Sequence, residues 1–121
     1  MGYEGSEKRR FVRANFPCKI IIQTPLEHMI ATHTEDIGAG GVRVLIEEKL
    51  DVHAQVNLEL HLNGEPISCQ ARIVWVLEKK TPGIDESTLY DTGIEFSQIK
   101  DKDQKKINDM VKKIIDDKSS G

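Results

Sequence analysis

Lys8-Arg9-Arg10-Phe11-Val12-Arg13 places four cations within six residues, directly ahead of the first apolar run of a chain whose formal net charge is -3. A guanidinium is planar, permanently charged and fork-shaped, so it can clamp phosphate oxygens, pair with a guanine edge or stack on a purine face. Arg9 and Arg13 lie four residues apart with Arg10 between them, so several guanidiniums can converge on one anion. Because the chain as a whole is acidic, attraction for anions has to be local to this arm. Taken on charge alone, the cluster reads as a solvated basic tail. A second segment changes that reading.

Asp36-Ile37-Gly38-Ala39-Gly40-Gly41 sets a carboxylate beside three glycines in four positions. Glycine permits positive φ angles and close approach of a ligand to the backbone, so this segment reads as a tight turn with accessible N–H donors. Guanine presents N–H donors on its Watson–Crick edge, which a carboxylate accepts, while arginine suits the Hoogsteen edge and the phosphates. Together the two segments suit a guanine nucleotide.

Other chemistries find less support. There is no GxSxG, Cys18 and Cys69 lie inside apolar runs, and His28, His33, His53 and His61 are scattered without metal-ligand spacing. The glycine run feeds a strand pattern rather than a helix, which is neither a P-loop nor a Rossmann fingerprint. We therefore expect no catalysis, no metal and surface histidines. A barrel for single-stranded nucleic acid would need aromatics alternating with basic residues, whereas this chain has six aromatics and a negative net charge. No apolar stretch nears the roughly twenty residues of a membrane helix, and the polar N-terminus is unlike a secretory signal. Two cysteines without CxxC spacing fit reduced, buried thiols in a cytoplasmic protein.

The elements that must carry these residues are mostly strands. Residues 1–7 read as a loose tail. Lys19 to Gln23 is a β-branched run between Pro17 and Pro25, and Ile30 to Ile37 alternates with threonines. Val42, Val44 and Ile46 resume after the glycine turn. Val56, Leu58, Leu60 and Leu62 alternate, Asn63-Gly64 is a hairpin turn signal, and Ile67, Cys69, Ala71, Ile73, Trp75 and Leu77 return with one parity. By that parity Trp75 is a core or barrel-rim residue, with a base-stacking platform as its alternative role. Lys79 to Ser87 reads as a polar loop and Tyr90 to Phe96 as the last strand. Ile107, Met110, Val111, Ile114 and Ile115 then share one helical face, over about residues 101–117, with Asp101 and Gln104 as a capping pair. That stripe suits packing on the barrel, or a partner helix or dimer. The expectation is one mainly β domain over residues 8–117: a six-stranded antiparallel β-barrel with a C-terminal amphipathic α-helix.

Arg9-x-x-x-Arg13 followed by Asp36-x-Gly38-x-x-Gly41 resembles the PilZ domain family, whose signature is RxxxR and then D/N-x-S-x-x-G. Ala71-Arg72-Ile73-Val74-Trp75 and Gly93-Ile94-Glu95-Phe96 extend the likeness, which covers roughly residues 8 to 116. The resemblance implies a receptor for the bacterial second messenger cyclic di-GMP, needing no other cofactor. It assigns phosphate and guanine-face contacts to Arg9 and Arg13, an assisting role to Arg10, acceptance from a guanine edge to Asp36, and the turn to Gly41. The arm would close over the ligand and signal through a downstream protein partner, from a monomer or homodimer, with no nucleic-acid polymer involved. Gly38 departs from the family serine, and a lost hydroxyl contact costs on the order of 1 kcal/mol, close to tenfold in affinity. A glycine there instead admits a water or closer backbone contact. The alternative within the same resemblance is a degenerate PilZ-like adaptor that works by protein contacts without the ligand.

Overall fold

The computed structural model describes residues 13–26, 28–62, 64–80 and 88–120. Arg9 and Arg10, the expected tail, Asn63 and most of the expected polar loop lie outside the described residues. The elements are β1 (Arg13–Ala14), β2 (Lys19–Gln23), β3 (Met29–Gly38), β4 (Gly41–Ile46), β5 (Gln55–His61), β6 (Ile67–Lys80), β7 (Thr88–Gln98) and α1 (Asp101–Ser120). β2 pairs with β3 and β5, β5 with β6, β6 with β7, β7 with β4, and β4 with β3, all antiparallel. That circuit closes six strands into a barrel, so no long edge is left with unpaired N–H and C=O groups.

Alternation fills the interior. Ile20, Ile22, Val44, Leu60, Ala71 and Ile73 are fully buried, while their strand neighbours face out. Burying a side chain of the larger kind is worth about 1.5–3 kcal/mol, which is why a strand with one apolar parity turns that face inward. The β5–β6 hairpin keeps the register expected of a turn at 63–64, with Leu60 opposite Ile67 and Leu58 opposite Cys69. Gly64 adopts φ 98°, a conformation that costs glycine nothing.

Strands β6 and β1 depart from the pattern read in the sequence, as β3 does at Glu35. In β6, Ile73 pairs with Ile94 but Trp75 pairs with Gly93, so Val74 is an extra residue, a β-bulge. Parity flips there: Trp75 is 37% and Leu77 54% exposed. Trp75 is therefore not a core residue, because the bulge turns its indole to the outside of the wall. The second departure is β1. Its two residues pair with Ile37 and Gly38 of β3, on the edge that β2 occupies farther along, since β4 takes the other edge. Thr34 spans the break between β1 and β2: its hydroxyl accepts from the Cys18 N–H at 3.0 Å and donates to the Phe16 carbonyl at 2.7 Å. Ala14 is buried in the core. The inner end of the arginine arm is thus part of the wall rather than an exposed strap.

Helix α1 packs its Ile107 and Val111 stripe against the barrel, both fully buried, beside β1 and β3. Asp101 and Asp103 lie in its first turn, where carboxylates favour the positive end of the helix dipole. The Asp103 and Gln104 N–H groups donate to the Lys100 carbonyl, and the Gln104 side chain bonds outside the helix. Gln104 is accordingly not the partner of Asp101 in a capping box; it is spent on the β3–β4 turn. We predict that Ile107→Ala lowers stability by about 2–5 kcal/mol, from lost burial and the cavity left behind, measured by urea denaturation.

Cys18 and Cys69 are both free and buried. Burial raises both thiol pKa values; that of Cys69 is pushed up to about 11, with Asp103 adding to the rise. Below the ordinary thiol pKa both folded and unfolded states hold the proton, so this contribution to stability is complete there. Above it, the unfolded chain ionises first, and the contribution is lost as pH rises from 9.0 to about 11. Ellman's reagent at about pH 8 should therefore find neither thiol in the native protein and both in guanidinium. Rapid native labelling would show that the barrel wall opens at β2 or β6.

Candidate functional site

A bulge in β3 builds the site. Thr34 of β3 is buried, and strict alternation would bury Asp36 with it. Instead Thr34 pairs with Val44 and Asp36 with Arg43, so Glu35 is the extra residue and parity flips. Ile37 now points into the core, and Asp36 comes to the outer face with its side chain 16% exposed. Across from it, Arg43 sits between buried Val42 and Val44, at the outward position of β4.

Four charged groups meet there. Arg13 donates to Asp36 Oδ1 from Nε at 2.8 Å and also from Nη2. Arg43 Nε donates to Asp36 Oδ2 at 3.0 Å. Its Nη1 goes on to both carboxylate oxygens of Asp91 in β7, at 3.1 and 3.3 Å. Asp91 is buried, so Arg43 is what compensates its charge. Two cations and two anions sum to zero, and each carboxylate is satisfied by guanidinium.

Glycine matters here through space rather than through φ. Among the described residues positive φ occurs at His53 and Gly64, so the Gly38–Gly41 turn is not built on left-handed backbone, contrary to the reading of the sequence. A Cβ on Gly41 would overlap the Ile94 carbonyl oxygen, so glycine lets β4 lie close on β7. A Cβ on Gly93 would overlap the Trp75 indole, which packs directly against that glycine. The Gln104 side chain donates to the Ala39 carbonyl at 2.9 Å and ties α1 to the same turn.

Arg13, Asp36, Gly41, Arg43, Trp75 and Gln104 together line a groove of about 640 Å³. A smaller hollow of about 330 Å³ over β2, β3, β5 and β6, lined by Ile21, Met29 and Glu59 among others, has no guanidinium on its walls. Of the residues singled out in the sequence, Arg13, Asp36 and Gly41 thus share one groove. Gly38 is buried in the ladder between Arg13 and Gly41 and does not line it. Arg9 and Arg10 lie outside the described residues. Sequence reasoning missed Arg43, Asp91 and Gln104. The one signal for Arg43 was a lone charge inside Val42-Arg43-Val44, an outward strand position of no special note without its partners.

His28 and His61 pair with Glu48 and Glu59 at 2.7 Å each, and none of the four lines the groove. Among the described residues no cluster of three metal-ligating side chains occurs, and no helix is long and apolar enough to cross a membrane.

Comparison with known proteins bears on this arrangement. The PilZ domain family profile matches residues 7–113. No curated protein sequence matches the chain. Among solved structures, the chain is similar to the inhibitor of motility MotI/DgrA of Bacillus subtilis, with 22% identity and a TM-score of 0.76 over 91% of this chain and 52% of that one. It is also similar to the PilZ domain of YcgR from Escherichia coli, solved with c-di-GMP, at 13% identity and a TM-score of 0.71 over 93% of this chain and 98% of that one. MrkH of K. pneumonia matches at 18% identity and a TM-score of 0.74, over 91% of this chain and 51% of that one. The chain therefore spans about half the length of MotI/DgrA and MrkH. With the six-stranded antiparallel barrel, the C-terminal helix and a family match over nearly its whole length, this chain belongs to the PilZ domain family.

Proposed function

We propose that this chain is a non-catalytic receptor for cyclic di-GMP, which binds in the Arg13–Asp36–Trp75 groove and passes the signal to a protein partner. The observation that carries the reading is the convergence in one groove of an exposed guanidinium, a carboxylate, a glycine-lined backbone and a flat indole. Each suits a different part of a cyclic guanine dinucleotide. Arg13 suits a phosphate or a guanine Hoogsteen edge, Asp36 accepts from guanine N1–H and N2–H, and Trp75 offers a stacking face. Arg9 and Arg10, just upstream of β1, add guanidiniums from the arm. Family membership and the c-di-GMP present with the YcgR domain support the same ligand.

Gly38 favours a second reading, an adaptor that keeps the barrel and has given up the ligand, since the family hydroxyl is missing at that position. A calorimetric titration of cyclic di-GMP separates the two. We expect saturable binding, weakened at least tenfold in Arg13→Ala with an unchanged circular dichroism spectrum, since removing one charge-assisted contact costs about 1.5–3 kcal/mol. Absence of heat from folded wild-type protein would establish the adaptor.

The chain has one tryptophan, so its fluorescence reports on the groove alone. Ligand should quench it. Gly93→Ala should push the indole off its seat, shift the emission of the free protein and weaken binding, while Gly41→Ala, whose Cβ meets backbone, should cost about 1–3 kcal/mol of stability by thermal melting. Emission unmoved by either ligand or Gly93→Ala would remove Trp75 from the site.

A further inference from the structure

Arg13 and Arg43 hold the same carboxylate, but their other attachments differ. Among the described residues the Arg13 side chain bonds only Asp36; it is 45% exposed and stands on a two-residue strand. Arg43 is 33% exposed, lies in the middle of β4, and reaches past Asp36 to grip Asp91, whose side chain is 8% exposed. The other charged side chain on the groove, Glu95, is engaged by Arg72 at 2.9 Å. Breaking an exposed pair costs little, because water replaces the partner. Pulling Arg43 away would strand a buried carboxylate, which costs far more.

We propose that Arg43 is a positioning residue: it is the fixed half of a double clamp on Asp36, keeping that carboxylate aimed into the groove when Arg13 leaves it for the ligand. The inference rests on the reading of the groove as a cyclic di-GMP site. Its physical content is an exchange. Arg13 trades a carboxylate for a phosphate oxygen or a guanine acceptor, and Oδ1 of Asp36, the oxygen it vacates, becomes free to accept from the guanine edge. Oδ2 stays bonded to Arg43 Nε, so the freed oxygen is held in orientation and Asp36 is never left without a cation. Only a guanidinium can do this, since one atom must point at Asp36 and another at Asp91; a lysine ammonium cannot span both with fixed geometry. Asp91 serves as the anchor of the anchor.

The test compares cyclic di-GMP with cyclic di-inosine monophosphate, which lacks the 2-amino donor that Asp36 would accept from. Wild-type protein should prefer the guanine ligand by about tenfold, the worth of one hydrogen bond. Arg43→Lys, checked for a native melting transition, should weaken cyclic di-GMP binding about tenfold and lose most of that preference. Arg13→Ala, which leaves Arg43 on Asp36, should weaken both ligands and keep a preference. A folded Arg43→Lys protein with wild-type affinity and preference would overturn the inference while leaving the receptor intact. Wild-type protein that binds neither ligand would overturn the receptor reading itself, and this role with it. Should the variant fail to fold, the Nε–H resonances of the wild-type protein decide: addition of cyclic di-GMP should move that of Arg13 and leave that of Arg43 in place. Loss of the Arg43 signal's bonded shift on ligand addition would overturn the clamp.

Discussion

Strand β3 is the seam on which this molecule depends. One edge pairs with β4, and the other pairs first with β2 and then with β1. Barrel closure, the seating of Arg13 and the placement of Asp36 therefore all pass through ten consecutive residues. Thr34 stands at the changeover, where its hydroxyl satisfies backbone that the ladder leaves unpaired. A buried backbone group without a partner is costly, so a small side chain with one donor and two lone pairs is well suited to the join.

Both bulges of the wall that face the groove do the same thing. Glu35 in β3 and Val74 in β6 each add a residue to one strand of a pair, and each turns the next residue outward. Without them Asp36 would be a buried carboxylate and Trp75 a core indole. With them, the carboxylate and the indole stand on one outer surface, flanked by the two glycines that let strands and ring lie close. An extra residue costs a ladder hydrogen bond and gains a re-aimed side chain, a trade that recurs beside binding sites.

The electrostatics of the groove differ from those of the chain as a whole. With a net charge of -3, the surface as a whole repels anions over a range of roughly a Debye length, about 8 Å at physiological salt. Arg13, Arg43, Asp36 and Asp91 form a neutral set. Among the described residues the groove is therefore not a standing positive patch. On the proposed exchange, Arg13 would be the cation released from this set toward the ligand, while Arg43 stays on both carboxylates.

The six barrel strands, their order along the chain, the Gly64 turn and the helix were legible in the sequence, because alternation with period two and the stripe from Ile107 to Ile115 are local statements about which face is apolar; β1 was not. The resemblance to the PilZ signature was legible as well, in Arg13, Asp36 and Gly41. What the sequence could not contain was the register. One extra residue in β3 and one in β6 reverse every inside–outside assignment after them, and nothing in Thr34-Glu35-Asp36 or Ile73-Val74-Trp75 announces the insertion. Arg43, Asp91 and Gln104 became part of the site only when β4, β7 and α1 came together, across separations of 7, 48 and 65 residues from the groups they hold. Periodicity decides which residues are apolar partners; pairing across the closed barrel decides which charges meet, since that depends on a ladder whose two sides are far apart in the chain.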